Sequence, residues 1–250
     1  MDLLKFSKDS NAKLKGIREW TNNPNLKVYS FSLLSGFSCP KARDCKTFAI
    51  KDPKTGKRSV MDGKDAIIRC FSAIQEAQYK ATYEQRDYNF QYLLKLNYED
   101  MFNLMYESIP READMIRVHV GGDMFSKDYF KAWYKVAEKF PHITFWAYTK
   151  SHNWLVELEP MRPDNFKINA SRGSKDDPIL DVEKWVKTAE VIFHPDDANG
   201  LPIDHDERYA LTDSGSFNLL IHGTQKQGSN ASDALKRMNK EGVKYGYSRA

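Results

Sequence analysis

MIRVHVGGDMFS (115–126), ITFWAYTKS (143–151) and NFKINASRGS (165–174) are the stretches whose reading decides the fold. Each is a short run rich in β-branched and aromatic residues that ends in glycine or small polar residues, the pattern of a strand closed by a loop. KDYFKAWYKVAEKF (127–140) lies between the first two, with apolar residues at helical spacing, and NWLVELEPM (153–161) lies between the second and third. Strands that alternate with helices at this spacing build βαβ units and a parallel sheet. The expected architecture is therefore α/β, a partial or full (βα) barrel with a mainly parallel sheet.

Outward from this middle, LKVYSFSLL (26–34), EVIFHP (190–195) and FNLLIHG (217–223) read as further strands. FAIKDPKTGKRSVMDG (48–63) reads as a hairpin or irregular insertion, with turn signals at DPKTGK. A long helical pattern runs from Lys64 to about Leu96 and carries Cys70 in its first two turns. A second helix covers about 98–108 and ends before Pro110. VEKWVKTA (182–189) and 231–241 read as helices, and 196–215 as loop. Residues 1–25, lysine-rich and ending in TNNPN, read as a loosely packed basic arm. Residues 26–250 read as a single α/β domain with a cysteine loop over 37–70, without repeat or internal boundary.

Composition narrows the function classes. At 250 residues the chain suits one large domain or two small ones. Hydrophobic residues at 41% against 29% charged exclude global disorder, and 13% aromatics predict a core built largely on rings. Phe130, Trp133 and Tyr134 have the spacing of such a core. Lys and Arg number 38 against 34 Asp and Glu, a net charge of +4, too weak to signal a nucleic-acid binder alone. No apolar run approaches the roughly 18–20 residues of a membrane span, and MDLLKFSKDSNAKLKG lacks the apolar core of a secretory signal. The expected compartment is the cytoplasm. Three cysteines, an odd number in a long chain, argue against a disulfide scaffold.

The polar signals fall after the strands. Cys39 follows the first, Gly121, Gly122 and Asp123 the second, Tyr148, Thr149 and Lys150 the third, and Ser171 and Arg172 the fourth. Parallel α/β folds bind ligands at the carboxyl ends of their strands, so these elements are expected to face one site. The plainer reading is that strand ends lead to loops and loops are polar. Cys39 and Cys45 share a loop, and Cys70 follows 25 positions after Cys45. Thiolates are soft ligands that suit iron–sulfur clusters or zinc. Three of them fill three corners of a [4Fe–4S] cluster and leave one iron open; three unrelated buried thiols are the alternative. Two glycines after a buried strand let a backbone approach a ligand, and Asp123 offers a carboxylate to an amine or hydroxyl; a tight strand-to-helix turn with a cap explains the same residues. His119 either points into the site or sits satisfied in the core. Tyr148, Lys150, Ser171 and Arg172 suit a carboxylate, ribose or phosphate, or are solvated loop polarity.

SGFSCPKARDCK (35–46), RCFSA (69–73), RVHVGGDMFS (117–126) and FWAYTKS (145–151), taken in order, resemble the phage gene product 88 family, over about residues 27–175. The layout is also similar to the wider radical S-adenosylmethionine fold. That resemblance implies that Cys39, Cys45 and Cys70 ligate a [4Fe–4S] cluster and that Gly121, Gly122 and Asp123 bind the methionine amine. It places Ser171 and Arg172 where ribose or carboxylate contacts belong. The chain departs from the pattern: the third cysteine is displaced by about two dozen residues, and Asp123 stands where glutamate is usual. The implied activity is binding and reductive cleavage of S-adenosylmethionine, with an electron donor such as ferredoxin or flavodoxin as partner. The alternative is a non-catalytic iron–sulfur or zinc protein that binds nucleic acid or a host protein during infection through the basic arm and the lysine-rich carboxyl terminus. An open shared cleft favours the first, a closed cysteine site on a basic face the second.

Overall fold

The computed structural model describes residues 2–8 and 12–245. Of the expected arm, residues 1 and 9–11 lie outside the described residues, as do the last five residues of the expected domain.

Alternation of apolar residues sets the strands, and parallel pairing arranges them. Strand β1 (Ser7–Lys8) runs antiparallel to β2 (Val28–Phe31) at one edge. Then β5 (Met115–Val118), β6 (Thr144–Thr149), β7 (Phe166–Ser171), β8 (Thr188–Ile192) and β9 (Phe217–Leu220) follow in chain order, each parallel to the one before. The strands β3 (Thr47–Lys51) and β4 (Arg58–Asp62) form a separate antiparallel hairpin, as DPKTGK predicts. The mainly parallel α/β expectation holds, but the full barrel does not form: β1 and β9 remain the two edges of an open sheet.

Successive side chains of a strand point to opposite faces, and the two faces carry different cores. Phe31, Ile116, Val118, Phe145, Ala147 and Phe166 pack with α3 (Lys80–Leu93), α4 (Tyr98–Ser108), α5 (Lys127–Lys139) and α6 (His152–Leu158). Trp133 and Phe130 of α5 are fully enclosed there and Tyr134 nearly so, which makes this core largely one of rings. Val28, Met115, Trp146, Ala189 and Phe217 face the other way, onto α1 (Ala12–Trp20) and α8 (Arg208–Leu211).

Helix α1 corrects the expectation of a loose arm. Leu14 and Ile17, one helical turn apart, are fully buried against the sheet, while the backbone N–H groups of Leu4 and Lys5 donate to Ser108 Oγ and Asn89 Oδ1, both at 2.9 Å. The surrounding lysines mask this stripe in the sequence. The long helix expected from Lys64 is also corrected. Residues 63–70 are not helical, α2 (Phe71–Gln78) begins after Cys70, and extended Tyr79 separates α2 from α3. Arg69 holds the incoming chain by pairing with Asp62 at 2.9 Å and donating its backbone N–H to Gln225 Oε1 at 2.7 Å. The helix expected over 182–189 gives way to α7 (Asp177–Val182), because Thr188 and Ala189 are drawn into the sheet by Ala170, Ser171 and Phe217. The last helix, α9 (Asn230–Lys240), stands where expected.

Candidate functional site

The loop after β2 carries Cys39 and Cys45 over the carboxyl ends of β5, β6 and β7. Ser35 anchors its start: its backbone N–H and its hydroxyl donate to the buried carboxylate of Glu76 on α2, which Arg86 of α3 also holds at 2.8 Å. The loop's middle is tied to the end of β7. The N–H groups of Arg43 and Asp44 both donate to the Gly173 carbonyl at 3.1 Å, and Lys41 pairs with Asp176 at 3.1 Å. Cys70 is the N-cap residue of α2, with its N–H donating to Thr47 Oγ1 at 3.2 Å. Pairing of Thr47 into the β3–β4 hairpin is thus what returns the displaced third cysteine to the loop that holds the first two.

All three cysteines are unpaired and half-buried. Burial pushes the Cys39 thiol well up, and the charges of Asp123, Cys70 and Cys45 push it further. Burial and the charge of Cys45 push Cys70 up to about 12. Cys39 therefore feels the charges of Asp123 and of both other thiols. Among the described residues, no three His, Cys, Asp or Glu side chains are arranged to hold a metal ion as the chain stands.

Asp123 is nearly inaccessible, and its carboxylate ties β5 to β6: it accepts from Thr149 Oγ1 at 2.7 Å and from the N–H groups of Met124 and Lys150 at 2.7 and 2.8 Å. Lys150 carries the tie onward to β7, its ammonium donating to Ser171 Oγ at 3.0 Å and to the Arg172 carbonyl. Ser174 closes the circuit by donating to the Lys150 carbonyl at 2.6 Å. Four strand ends and the cysteine loop are thus linked by hydrogen bonds. Arg172 reaches out of this network, with Asp181 at 3.9 Å and a third of its side chain exposed.

The glycines serve packing. Gly122 is left-handed at φ +89, and a Cβ there would stand 2.7 Å from Ser38 Oγ and 2.8 Å from Leu33 Cβ. A Cβ on Gly121 would overlap the Ser72 hydroxyl, which Arg86 holds in place, and approach the Arg86 guanidinium at 2.9 Å. Gly121→Ala is expected to lower stability by about 1–3 kcal/mol, the range for overpacking. A urea midpoint that falls at constant m checks it; an unmoved midpoint would mean that Ser72 and Arg86 yield.

His119 takes the core alternative, and Tyr148 stands elsewhere than expected. His119 adopts φ +69, which turns it off the strand alternation onto the helix-covered face, where Nε2 meets the Tyr129 hydroxyl at 2.9 Å. Burial and the nearby Arg117 charge push its pKa down to about 3, so it stays neutral in the core. Tyr148 leaves the strand-end network and bonds Glu207 Oε2 at 3.0 Å on the opposite face. Glu207 itself, in a stretch read as loop, is fully buried there with Arg117 at 2.6 Å, Lys13 at 3.6 Å and Trp146 Nε1 at 3.0 Å. No sequence signal distinguishes it from any other loop glutamate. A groove of about 290 Å³, lined by Arg162, Lys167, Trp185 and Lys187, lies at the other end of β7 and β8, away from the cysteines.

Fold and site together define an α/β protein whose sheet is wound in chain order and whose strand ends carry a three-thiol loop. The chain belongs to the phage gene product 88 family, whose model matches residues 3–240. It is 27% identical over 161 residues to the Gene 88 protein of Mycobacterium phage L5, a match covering 61% of this chain and 58% of that protein. It is 26% identical over 153 residues to the Gene 88 protein of Mycobacterium phage D29, with the same coverage. The match thus spans less than two thirds of either relative. No solved structure matches the chain. Among the described residues, no helix is long and apolar enough to cross a membrane.

Proposed function

We propose that Cys39, Cys45 and Cys70 form a thiolate centre for an iron–sulfur cluster at the carboxyl ends of the strands. The observation that supports this reading is that three free, half-buried thiols from separated positions act electrostatically on one another, with Asp123 acting on Cys39. The donor chemistry fits. Burial and neighbouring charge raise the Cys39 and Cys70 thiols even with the Lys46 ammonium close by, and a coordinated metal deprotonates a thiol outright. A [4Fe–4S] cluster held by three cysteines supplies one open iron and one-electron chemistry.

The chain's own residues suggest the ligand. A carboxylate has about four lone-pair sites, and Asp123 uses three, so one remains for an ammonium group. The Lys150 ammonium is spent on Ser171 and Arg172, which leaves the Arg172 guanidinium as the freer donor to a ligand carboxylate. An ammonium beside a carboxylate is the amino-acid end of S-adenosylmethionine, the ligand the radical S-adenosylmethionine resemblance implies. In this reading Ser171 would contact its ribose. Gly121 and Gly122 act through packing, because their Cβ positions are already filled.

Anaerobically isolated protein should be brown and hold about four irons with labile sulfide per chain. Substituting Cys39, Cys45 or Cys70 by Ser should each abolish the iron, since two thiolates are too few. A single zinc without sulfide, or iron retained by all three variants, would defeat the cluster reading. S-adenosylmethionine added to the reduced protein should alter the cluster's electron paramagnetic resonance spectrum and yield 5′-deoxyadenosine. An unchanged spectrum would remove that ligand and leave the cluster.

A further inference from the structure

We propose that the outer face of the β3–β4 hairpin binds single-stranded nucleic acid. This surface stands independently of whether the thiols hold a metal.

The charge distribution points there first. Residues 37–70 hold nine Lys and Arg against four Asp, a net +5, while the rest of the chain holds 29 Lys and Arg against 30 Asp and Glu, a net −1. The modest overall charge hides a basic segment on a nearly neutral body. Lys51, Lys54, Lys57 and Lys64 are exposed, and none has an ion-pair partner among the described residues. Asp52, between them, is occupied by the turn: its carboxylate accepts the N–H groups of Lys54 and Thr55 at 2.8 Å. A positive field of uncompensated lysines is the footprint of a polyanion partner.

The hairpin's pleat gives that field a platform. Thr47 and Ala49 are fully buried on the α2 side. The alternate positions Phe48 and Ile50 point the other way, and Met61, directly opposite Phe48, is about half exposed. Phe37 lies edge-on against Phe48, with ring centroids 4.9 Å apart, and is also about half exposed. Lys46 sits 5.4 Å from the Phe48 ring centre. Two rings and a methionine on an open sheet face, with Lys54 and Lys57 at its turn and Lys51 at the strand end beside them, are what single-stranded nucleic acid requires: bases stack on the rings and phosphates meet the cations. A duplex hides its base faces, and a peptide whose affinity comes from its carboxylates gains nothing from the rings.

Fluorescence anisotropy with labelled oligo-dT and oligo-U of about 20 nucleotides tests this, a length that exceeds the usual site sizes. The protein should bind both, and bind duplex of equal length more weakly. Exchanging Lys51, Lys54 and Lys57 together for Gln should lower the slope of log affinity against log salt by about two, from roughly 0.7 per phosphate contact. Phe37→Ala should weaken binding at least about fivefold while leaving the salt slope unchanged, as loss of one stacking ring requires. Circular dichroism confirms that the variants fold, and the exposed lysine triple keeps the test decisive if Phe37→Ala does not. The proposal is overturned if the parent protein does not bind at low salt, if duplex binds as well, if both variants bind like the parent, or if polyglutamate competes charge for charge. The last outcome would make the partner an acidic protein.

Discussion

Glu207→Ala should be among the most damaging single substitutions in this protein, lowering stability by about 3–5 kcal/mol, the cost of orphaning buried charge. Four donors converge on this one carboxylate: Arg117 at 2.6 Å, Lys13 at 3.6 Å, and Trp146 and Tyr148 at 3.0 Å each. Glu207 also adopts φ +65, a strained backbone for a side-chain-bearing residue, so the cage must over-determine it. In thermal unfolding followed by circular dichroism, the midpoint should fall on the order of 10 °C for a chain of this size. Glu207→Gln keeps the shape and an acceptor but leaves two cations uncompensated, and should fall between parent and Ala. Full stability in the Ala variant would show that water or a rearranged side chain replaces the carboxylate.

The same residue predicts a pH dependence. Burial pushes the Glu207 carboxyl up, but the charges of Arg117 and Lys13 and the hydrogen bonds from Trp146 and Tyr148 outweigh it and hold the group below its ordinary value. A carboxyl with a depressed folded pKa contributes stability that is present above its unfolded pKa, about 4.3, and is lost as pH falls through the folded value. The loss belongs to strong acid and should vanish in Glu207→Gln.

Asp123→Ala should be comparably destabilising, by on the order of 3–5 kcal/mol, because the Thr149 hydroxyl and two backbone N–H groups lose their shared acceptor, each at about 1–3 kcal/mol. Its pH behaviour has the opposite sign. Burial pushes the Asp123 carboxyl up to about 6, against hydrogen bonds from Thr149, Lys150 and Met124. The folded state then binds the proton more tightly than the unfolded one, whose pKa is about 3.9. This group's contribution therefore stabilises the metal-free protein as pH falls from about 6 toward about 4, and the gain is lost as pH rises through 6. Denaturant titrations at a series of pH values read this directly. Asp123→Asn should flatten the window; a window that persists would place the titration on another group. Because the carboxylate joins β5 to β6, any loss of ligand binding in an Asp123 variant counts only once circular dichroism shows that variant folded.

Much of the parallel sheet was legible in the chain because its strands carry strong local signals: FWAYT, FKINAS and FNLL are β-rich and bounded by polar turns, and the helix between 127 and 139 has an unbroken apolar stripe. The order of polar residues after those strands also marked where the strand ends would meet. Local signal failed where long-range partners decided the outcome. Thr188 and Ala189 look helical until Ala170 and Phe217 offer strand pairing. Leu14 and Ile17 look like an interrupted tail until the second face of the sheet needs cover. Tyr148 sits in the same strand as Thr149, yet a one-residue step in the pleat sends it to Glu207 and leaves Thr149 with Asp123. The sequence by itself determined the element types, the ring-built core and the identity of the three thiols, because those follow from spacing and composition. Only tertiary structure decided that Asp123 ties β5 to β6, where Glu207 is buried and that α1 covers the sheet, because each depends on residues brought together from far apart in the chain.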